Sequence, residues 1–482
     1  MKLQSMVDLL RHHGLLVRAP DVDPVLGGIT VDSREMMPGG LFIAIEGAEA
    51  DGHDFVANAA SKGANAAVVE RQVATNLPQV VVRDTHRAAE VLAAAWYHEP
   101  ASQLKLVAVT GTNGKTTTTA LLRHILNAAL DAGSIGTVGA IDGRGAPVVS
   151  TAGSLTTPGP VDLQATLRGM IDRGVKRVVM EASSHALDQR RLDALSFAAG
   201  VFTNLTHDHL DYHASMEEYA RAKLRLAELV RSDGVLSVNA DDPAWDELDA
   251  DPRAVTWGYS ERAQVRIRDA HTLSAGSRFV LESRFGSGEV DLPLPGDFNI
   301  ANAVAAATAA LALGRSFEEV TSRLGTAPQV PGRMERIIDA PFHVIRDYAH
   351  TPDALQRLLA TLRPITPGRL MLVFGCGGDR DRTKRPVMGR IASEGADVVF
   401  LTSDNPRTED PERILDDIAA GMPPRRYHRD VDRHLAIATA LGQARPGDVV
   451  VLAGKGHETY QVIGHTREPF DEREIVLGLM GR

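Results

Sequence analysis

The segment Thr110-Gly111-Thr112-Asn113-Gly114-Lys115-Thr116-Thr117 follows an apolar run, Leu106–Val109. It precedes Leu121, Leu122, Ile125, Leu126 and Ala129, which share one face at helical spacing. A glycine-rich turn between a strand and a helix lets backbone approach anionic oxygens, and the helix N-terminus favours negative charge. Lys115 can reach β- and γ-phosphates, and the Thr116 hydroxyl can hold Mg²⁺. The longer eight-residue form of this loop needs Gly at position 109, where the chain has Val109, so the match is to a GxxGKT variant. A phosphate loop by itself leaves GTPases, motors, kinases and ligases open.

Two further groups of residues carry chemistry. Glu181 ends the apolar run Arg177–Met180, which predicts a place at the carboxyl edge of a sheet, where ligands bind and where an acidic residue can hold Mg²⁺. Downstream, His207-Asp208-His209-Leu210-Asp211-Tyr212-His213 packs three His and two Asp into seven residues. That cluster could supply a zinc site, although Mg²⁺ paired with a phosphate loop prefers oxygen ligands. Near the C-terminus, three apolar runs each end in charge: Leu370–Phe374 before Arg380, Val398–Thr402 before Asp404-Asn405-Pro406-Arg407, and Asp448–Leu452 before Gly454-Lys-Gly-His-Glu458. Arg pairs bidentately with a carboxylate, and Asp or Glu accepts an ammonium. These strand ends predict a crevice for a ligand bearing both charges.

The elements that must position these residues follow from the rest of the chain. A length of 482 residues suggests roughly three domains. Short β-rich runs from 26 to 100 (Ile29–Val31, Leu41–Ile45, Ala66–Val69, Val80–Val82) read as a small α/β unit. From about 104 strands and helices alternate, predicting a mostly parallel, doubly wound sheet, and residues 264 to 294 alternate as short strands that predict an antiparallel extension. Pro331-Gly332 marks a hinge before a third α/β set. The expectation is an α/β chain of three domains: 1–101, a central phosphate-loop domain over 102–334, and a Rossmann-like domain over 335–482.

Composition sets the outer limits. Lys plus Arg is 52 and Asp plus Glu is 62, a net charge of −10 that argues against a nucleic-acid or membrane binder. A single cysteine, Cys376, excludes an intramolecular disulfide and reads as a small buried filler. The N-terminal MKLQSMVDLLRHHG lacks the pattern of a signal peptide, which makes the cytoplasm the default location.

TGTNGKTTT, EASSHALDQRR, TNLTHDHLDYH and the segment around Lys223 resemble the Mur ligases of peptidoglycan synthesis, in order and over essentially the whole chain. Val31-Asp-Ser33-Arg34 and Gly47-Ala-Glu-Ala-Asp-Gly resemble the branch that adds the third amino acid. The resemblance implies ATP-dependent amide-bond formation, by a monomer, through an acyl phosphate. It implies that Lys223 is carbamylated by CO₂, and that the carbamate, Glu181 and His209 hold a second Mg²⁺ while Thr116 serves the first. It places nucleotide contacts at Gly111 to Thr117, Asn299, Asn302, Arg333 and Asp347. It places the UDP moiety at Val31, Ser33, Ala48, Glu49 and Ala50, and the sugar-peptide at Thr156, Thr157, Ser183, Gln189 and Arg191. The incoming amino acid falls to Arg380, Asp404, Asn405, Pro406, Arg407, Gly454 and Glu458. Two zwitterionic ends suit meso-diaminopimelate; L-lysine lacks the distal carboxylate and would leave Arg407 unpaired. A folylpolyglutamate-synthase-like ligase shares the phosphate loop, and a nucleotide-gated switch without ligation chemistry is the reading from another class.

Overall fold

A computed structural model describes residues 1–47, 50–148, 155–210, 212–273, 275–424 and 427–481. Alternation along single strands shows why three layered units form. In the strand Lys105–Thr110, Leu106 and Ala108 enter one apolar cluster, and Val107 and Val109 enter another on the opposite face. Leu370–Phe374 divides in the same way, as does Leu41–Ile43 with its neighbour Ala44. Strands apolar on both faces need helices on both sides, and that requirement selects the doubly wound arrangement.

Among the described residues the first sheet has five strands between Leu16 and Val82, mainly parallel with one antiparallel edge. The central sheet has ten strands among the described residues. At its centre Lys105–Thr110 lies between Arg177–Glu181 and Phe197–Phe202, parallel to both. The expected antiparallel extension is present as Val265–Leu273, Gly276–Ser283 and Gly286–Leu292. The third sheet runs from Glu335–Ile338 through His343–Asp347, Val449–Ala453, Leu370–Phe374 and Val398–Leu401 to Tyr427–Arg429.

Register decides what meets. Val109 pairs with Glu181 and Thr110 with Phe202, so the phosphate loop, Glu181 and Thr203 leave the central sheet at one edge. In the third sheet Phe374 pairs with Leu401, Val373 with Leu452 and Asp347 with Ala453, which aligns four strand ends. The alanine-rich stretch from Ala303 belongs to the helix Asp297–Ala312, buried on every side and packed against the phosphate-loop helix Lys115–Leu126. No helix among the described residues is long and apolar enough to cross a membrane.

Candidate active site

Gly111 and Gly114 both adopt positive φ, +139° and +87°. A Cβ at Gly111 would collide with Thr203 Oγ1, and one at Gly114 with Asn302 Oδ1, so only glycine fits either position. Lys115 folds back over the loop, its Nζ donating to the carbonyls of Gly111 (2.9 Å) and Thr112 (2.8 Å). Lys223, buried on the helix Met216–Leu229, donates to the same Gly111 carbonyl at 2.8 Å. Two lysine side chains therefore converge on one oxygen. Burial lowers both lysines, and for Lys223, with Lys115 beside it, the fall is far below the usual range.

Glu181 is 1% exposed and fully engaged. Its carboxylate accepts from Thr137 N (2.8 Å), Thr137 Oγ1 (3.0 Å) and Thr116 Oγ1 (3.2 Å). The Thr116 hydroxyl in turn accepts from Arg333 Nη2 at 3.1 Å. A threonine at the loop's end bonded to a strand-end carboxylate is an oxygen donor set of the kind that suits Mg²⁺. Arg333 stacks over Tyr348 and keeps its Nε buried without a partner, an orphaned donor beside the anion-binding loop. Asp208 is held below the usual carboxylate range: burial pushes it up, but His209, His350 and Lys115 outweigh that. His209 sits at φ +52°, its ring edge-on to His185 at 4.9 Å. Among the described residues no three His, Cys, Asp or Glu gather as a metal-binding group; Asp211 of the cluster lies outside the described residues.

A cleft of about 180 Å³ opens beside the loop, lined by Gly114, Thr117, Asn302, Trp257, Arg333 and Asp347. Asn302 thus lies where a nucleotide contact was expected. Asn299 does not: it is buried, and its amide donates to Pro295 O at 2.8 Å. Asp347 receives the backbone N–H groups of Met334 and Ala349, and burial raises its pKa. Asn113 Nδ2 donates to Asp353 Oδ2 at 3.1 Å, so the third unit already touches the phosphate loop directly.

The expected sugar-peptide residues assemble around Glu181. Thr157 Oγ1 donates to Glu181 O (2.8 Å) and accepts from Ser183 N (3.0 Å), while Thr156 meets Thr137 at 3.2 Å. Arg191 bonds Gln189 and the Thr157 carbonyl. At the first sheet, Val31 is half-buried, and Ser33 is buried at the start of a short turn that Asp32 caps. Ala50 accepts from Gly47 N; Ala48 and Glu49 lie outside the described residues.

At the third sheet's edge Arg407 is built in by its backbone, with φ +50°, its N–H on Val462 O and its carbonyl on Gly464 N. Its Nη1 donates to Gly378 O at 2.7 Å, and a Cβ at Gly377 would lie 2.9 Å from that nitrogen. Asp404 and Asn405 are buried, and a Cβ at Gly454 would collide with Asp404 Oδ2. Asn405 Nδ2 donates to Glu458 Oε2 at 2.9 Å, while the Pro406 carbonyl receives Glu409 N. Arg380 lies on the other side of Gly377, where a Cβ would be 3.9 Å from the Arg380 Cγ; it is exposed and bonded to its own neighbour's carbonyl, Asp379 O. Burial pushes the Cys376 thiol up to about 12, which makes it an inert filler as expected. A larger hollow, about 760 Å³, lies against the hairpin Tyr460–Pro469 and contains none of the phosphate-loop residues.

Thr137, Tyr348 and Lys455 join the site without having been singled out in the sequence. Thr137 had a signal, since it follows the strand Ala132–Gly136 at the same edge as Glu181.

These features define a nucleotide-dependent enzyme built across three α/β units, and the chain belongs to the Mur ligase family. It matches the Mur ligase family catalytic domain over residues 26–98, the Mur ligase middle domain over 109–310, and the Mur ligase glutamate ligase domain over 332–456. The UDP-N-acetylmuramoyl-L-alanyl-D-glutamate–2,6-diaminopimelate ligase of Gloeobacter violaceus is 45% identical, with 98% of this chain and 97% of that protein covered. The Geobacillus thermodenitrificans protein of the same name is 43% identical over 98% of each. A solved structure of a ligase of that name superposes with a TM-score of 0.65 at 36% identity, covering 95% of both chains. A MurF ligase from Thermotoga maritima in complex with ADP shares the fold at 19% identity, TM-score 0.66, with 94% of this chain and 96% of that chain covered.

Proposed function

We propose that the protein is an ATP-dependent amide ligase that joins meso-diaminopimelate to the D-Glu γ-carboxylate of UDP-N-acetylmuramoyl-L-Ala-D-Glu in peptidoglycan precursor synthesis. It works in the cytoplasm as a monomer. Residues 1–101 hold the UDP end, 102–334 hold ATP, and 335–482 hold the incoming amino acid. The observation that carries the reading is the junction itself. Asp353, which accepts from Asn113 of the phosphate loop, brings the unit bearing Asp404, Arg407 and Glu458 against that loop, so activated carboxylate and incoming amine can share one space.

In the first step the γ-carboxylate attacks the ATP γ-phosphorus, an acyl-phosphate O–P bond forms, and ADP leaves. In the second the diaminopimelate amine attacks the acyl carbon, phosphate leaves and the amine gives up a proton. Lys115 swings from the Gly111 and Thr112 carbonyls to the phosphates, and Arg333, which lines the cleft, adds a second cation beside them. Most of the acceleration comes from holding the reactants in line and neutralising charge. Mg²⁺, held by Thr116 at one position and by Glu181, His209 and a carbamylated Lys223 at another, would supply further neutralisation of the phosphates. The Lys223 environment supports the carbamate. Only a neutral amine attacks CO₂, and burial, with the Lys115 charge nearby, favours that form by lowering the Lys223 pKa. Arg407 would take the distal carboxylate of diaminopimelate, and Asp404 and Glu458 its ammonium charge.

ADP formation measured with and without each acceptor tests the reading. The rate should require both the UDP-dipeptide and diaminopimelate. Faster turnover with lysine would overturn the amino-acid assignment, and phosphate release indifferent to either substrate would replace the ligase with a nucleotide-gated switch.

A further inference from the structure

Lysine is almost never fully buried unless it is paired. Lys455 has no side-chain exposure. It lies between Gly454 (φ +115°) and Gly456 (φ +54°), and these two glycines let the loop turn its side chain inward. The space outside is closed, because a Cβ at Gly456 would come within 2.7 Å of the Tyr348 side chain. Lys455 Nζ donates to Asn405 Oδ1 at 3.1 Å and to Glu458 Oε2 at 3.2 Å. Asn405 Nδ2 reaches that same Oε2 at 2.9 Å, and Asn405 Oδ1 also receives Val462 N at 2.9 Å. Lys455 thus ties the loop after Val449–Ala453 to the loop after Val398–Leu401, and Asn405 joins both to the hairpin strand Tyr460–Ile463.

The distribution of bonds on Glu458 matters most. Among the described residues every hydrogen bond to its carboxylate falls on Oε2, and none reaches Oε1. We propose that Lys455 is a positioning residue for acceptor selection: with Asn405 it holds Glu458 by one oxygen and leaves the other aimed at the ammonium group of the incoming amino acid. Lys455 balances the carboxylate charge while the crevice is empty, so the site is preorganised rather than assembled around the substrate. The inference rests on the ligase reading above and extends it to a residue that does not itself touch substrate.

The test compares Lys455→Met, Glu458→Gln and the double variant by steady-state kinetics with ATP, the UDP-dipeptide and diaminopimelate. Wild-type dependence on diaminopimelate is established first, so failure of the ligase reading would show before any variant is made. Lys455→Met should raise the KM for diaminopimelate by about 10- to 100-fold, the range for a lost hydrogen bond to a charged group. The KM for ATP and for the UDP-dipeptide should stay where they are. A residue that only supports the fold would lower the active fraction, and hence Vmax, without moving one KM selectively. The double variant should match Glu458→Gln alone, because Lys455 acts through that carboxylate. Removing both charges together also guards against misfolding, since it leaves no unpaired buried ion. An unchanged diaminopimelate KM in Lys455→Met, or multiplicative losses in the double variant, would overturn the proposal.

Discussion

Replacing Arg407 with alanine separates recognition of the acceptor's far end from everything else in the site. The backbone at 407 is pinned by Val462 O and Gly464 N, and the φ of +50° suits alanine no worse than arginine, so the change removes a guanidinium rather than a turn. One nitrogen, Nη1, donates to Gly378 O, and among the described residues no other N–H of this guanidinium is bonded. Two charge-assisted bonds to a distal carboxylate, at about 1.5 kcal/mol each in this half-exposed position, come to about 3 kcal/mol. At about 1.4 kcal/mol per decade that is about a hundredfold in kcat/KM for diaminopimelate. Lysine offers no carboxylate there, so its kcat/KM should barely move and the preference between the two acceptors should collapse. Arg407→Lys, which keeps the charge but loses the planar fork, should fall between. The assay is coupled ADP formation over a range of each amino acid with ATP and UDP-dipeptide saturating. Equal losses for both acceptors, or an intact preference in Arg407→Ala, would refute the reasoning.

Three other outcomes follow from the same geometry. Lys223→Ala should abolish turnover, and added bicarbonate should not restore it; an active variant would remove the carbamate from the mechanism. Gly114→Ala forces a Cβ into Asn302 Oδ1 at φ +87°, and the resulting overpacking of about 1–3 kcal/mol should weaken ATP binding by about 5- to 150-fold in calorimetry. Glu90 is buried beside Asp193, and burial first, then that neighbour, pushes its pKa up to about 8. A carboxyl raised in the folded state contributes stability that is fully present below its unfolded value near about 4.3 and is lost as pH rises through about 8, a span worth up to about 5 kcal/mol. The thermal midpoint should therefore fall between pH 5 and 8.5 in the wild type, and Glu90→Gln should flatten that slope; parallel slopes for the two proteins would show that Glu90 plays no such part.

The phosphate loop, the strand ends and the antiparallel extension were all legible, because each is a local pattern: an apolar run, a glycine that a turn demands, a charge just beyond a strand. Asn299 shows where that legibility stops. It sits three residues before Asn302 on a helix buried on every side, and a helix without a polar face gives no periodic sign of which asparagine meets the cleft. Arg380 is legible only in part for a related reason: its glycine-rich turn places it across Gly377 from Arg407 but does not fix where its guanidinium lies.

By itself, then, the order of residues determined three α/β units, a phosphate-binding turn and three charged strand ends, since strand, turn and helix-terminus propensities act over a few residues. Tertiary structure alone decided the rest. Lys223 and Lys115 meet on the Gly111 carbonyl only because a helix after one strand packs beneath the loop after another. Lys455 is a buried tether rather than a solvated charge only because Asn405 and Glu458 close over it. Burial and charge pairing depend on which distant segments become neighbours, and that choice is made by sheet register and packing.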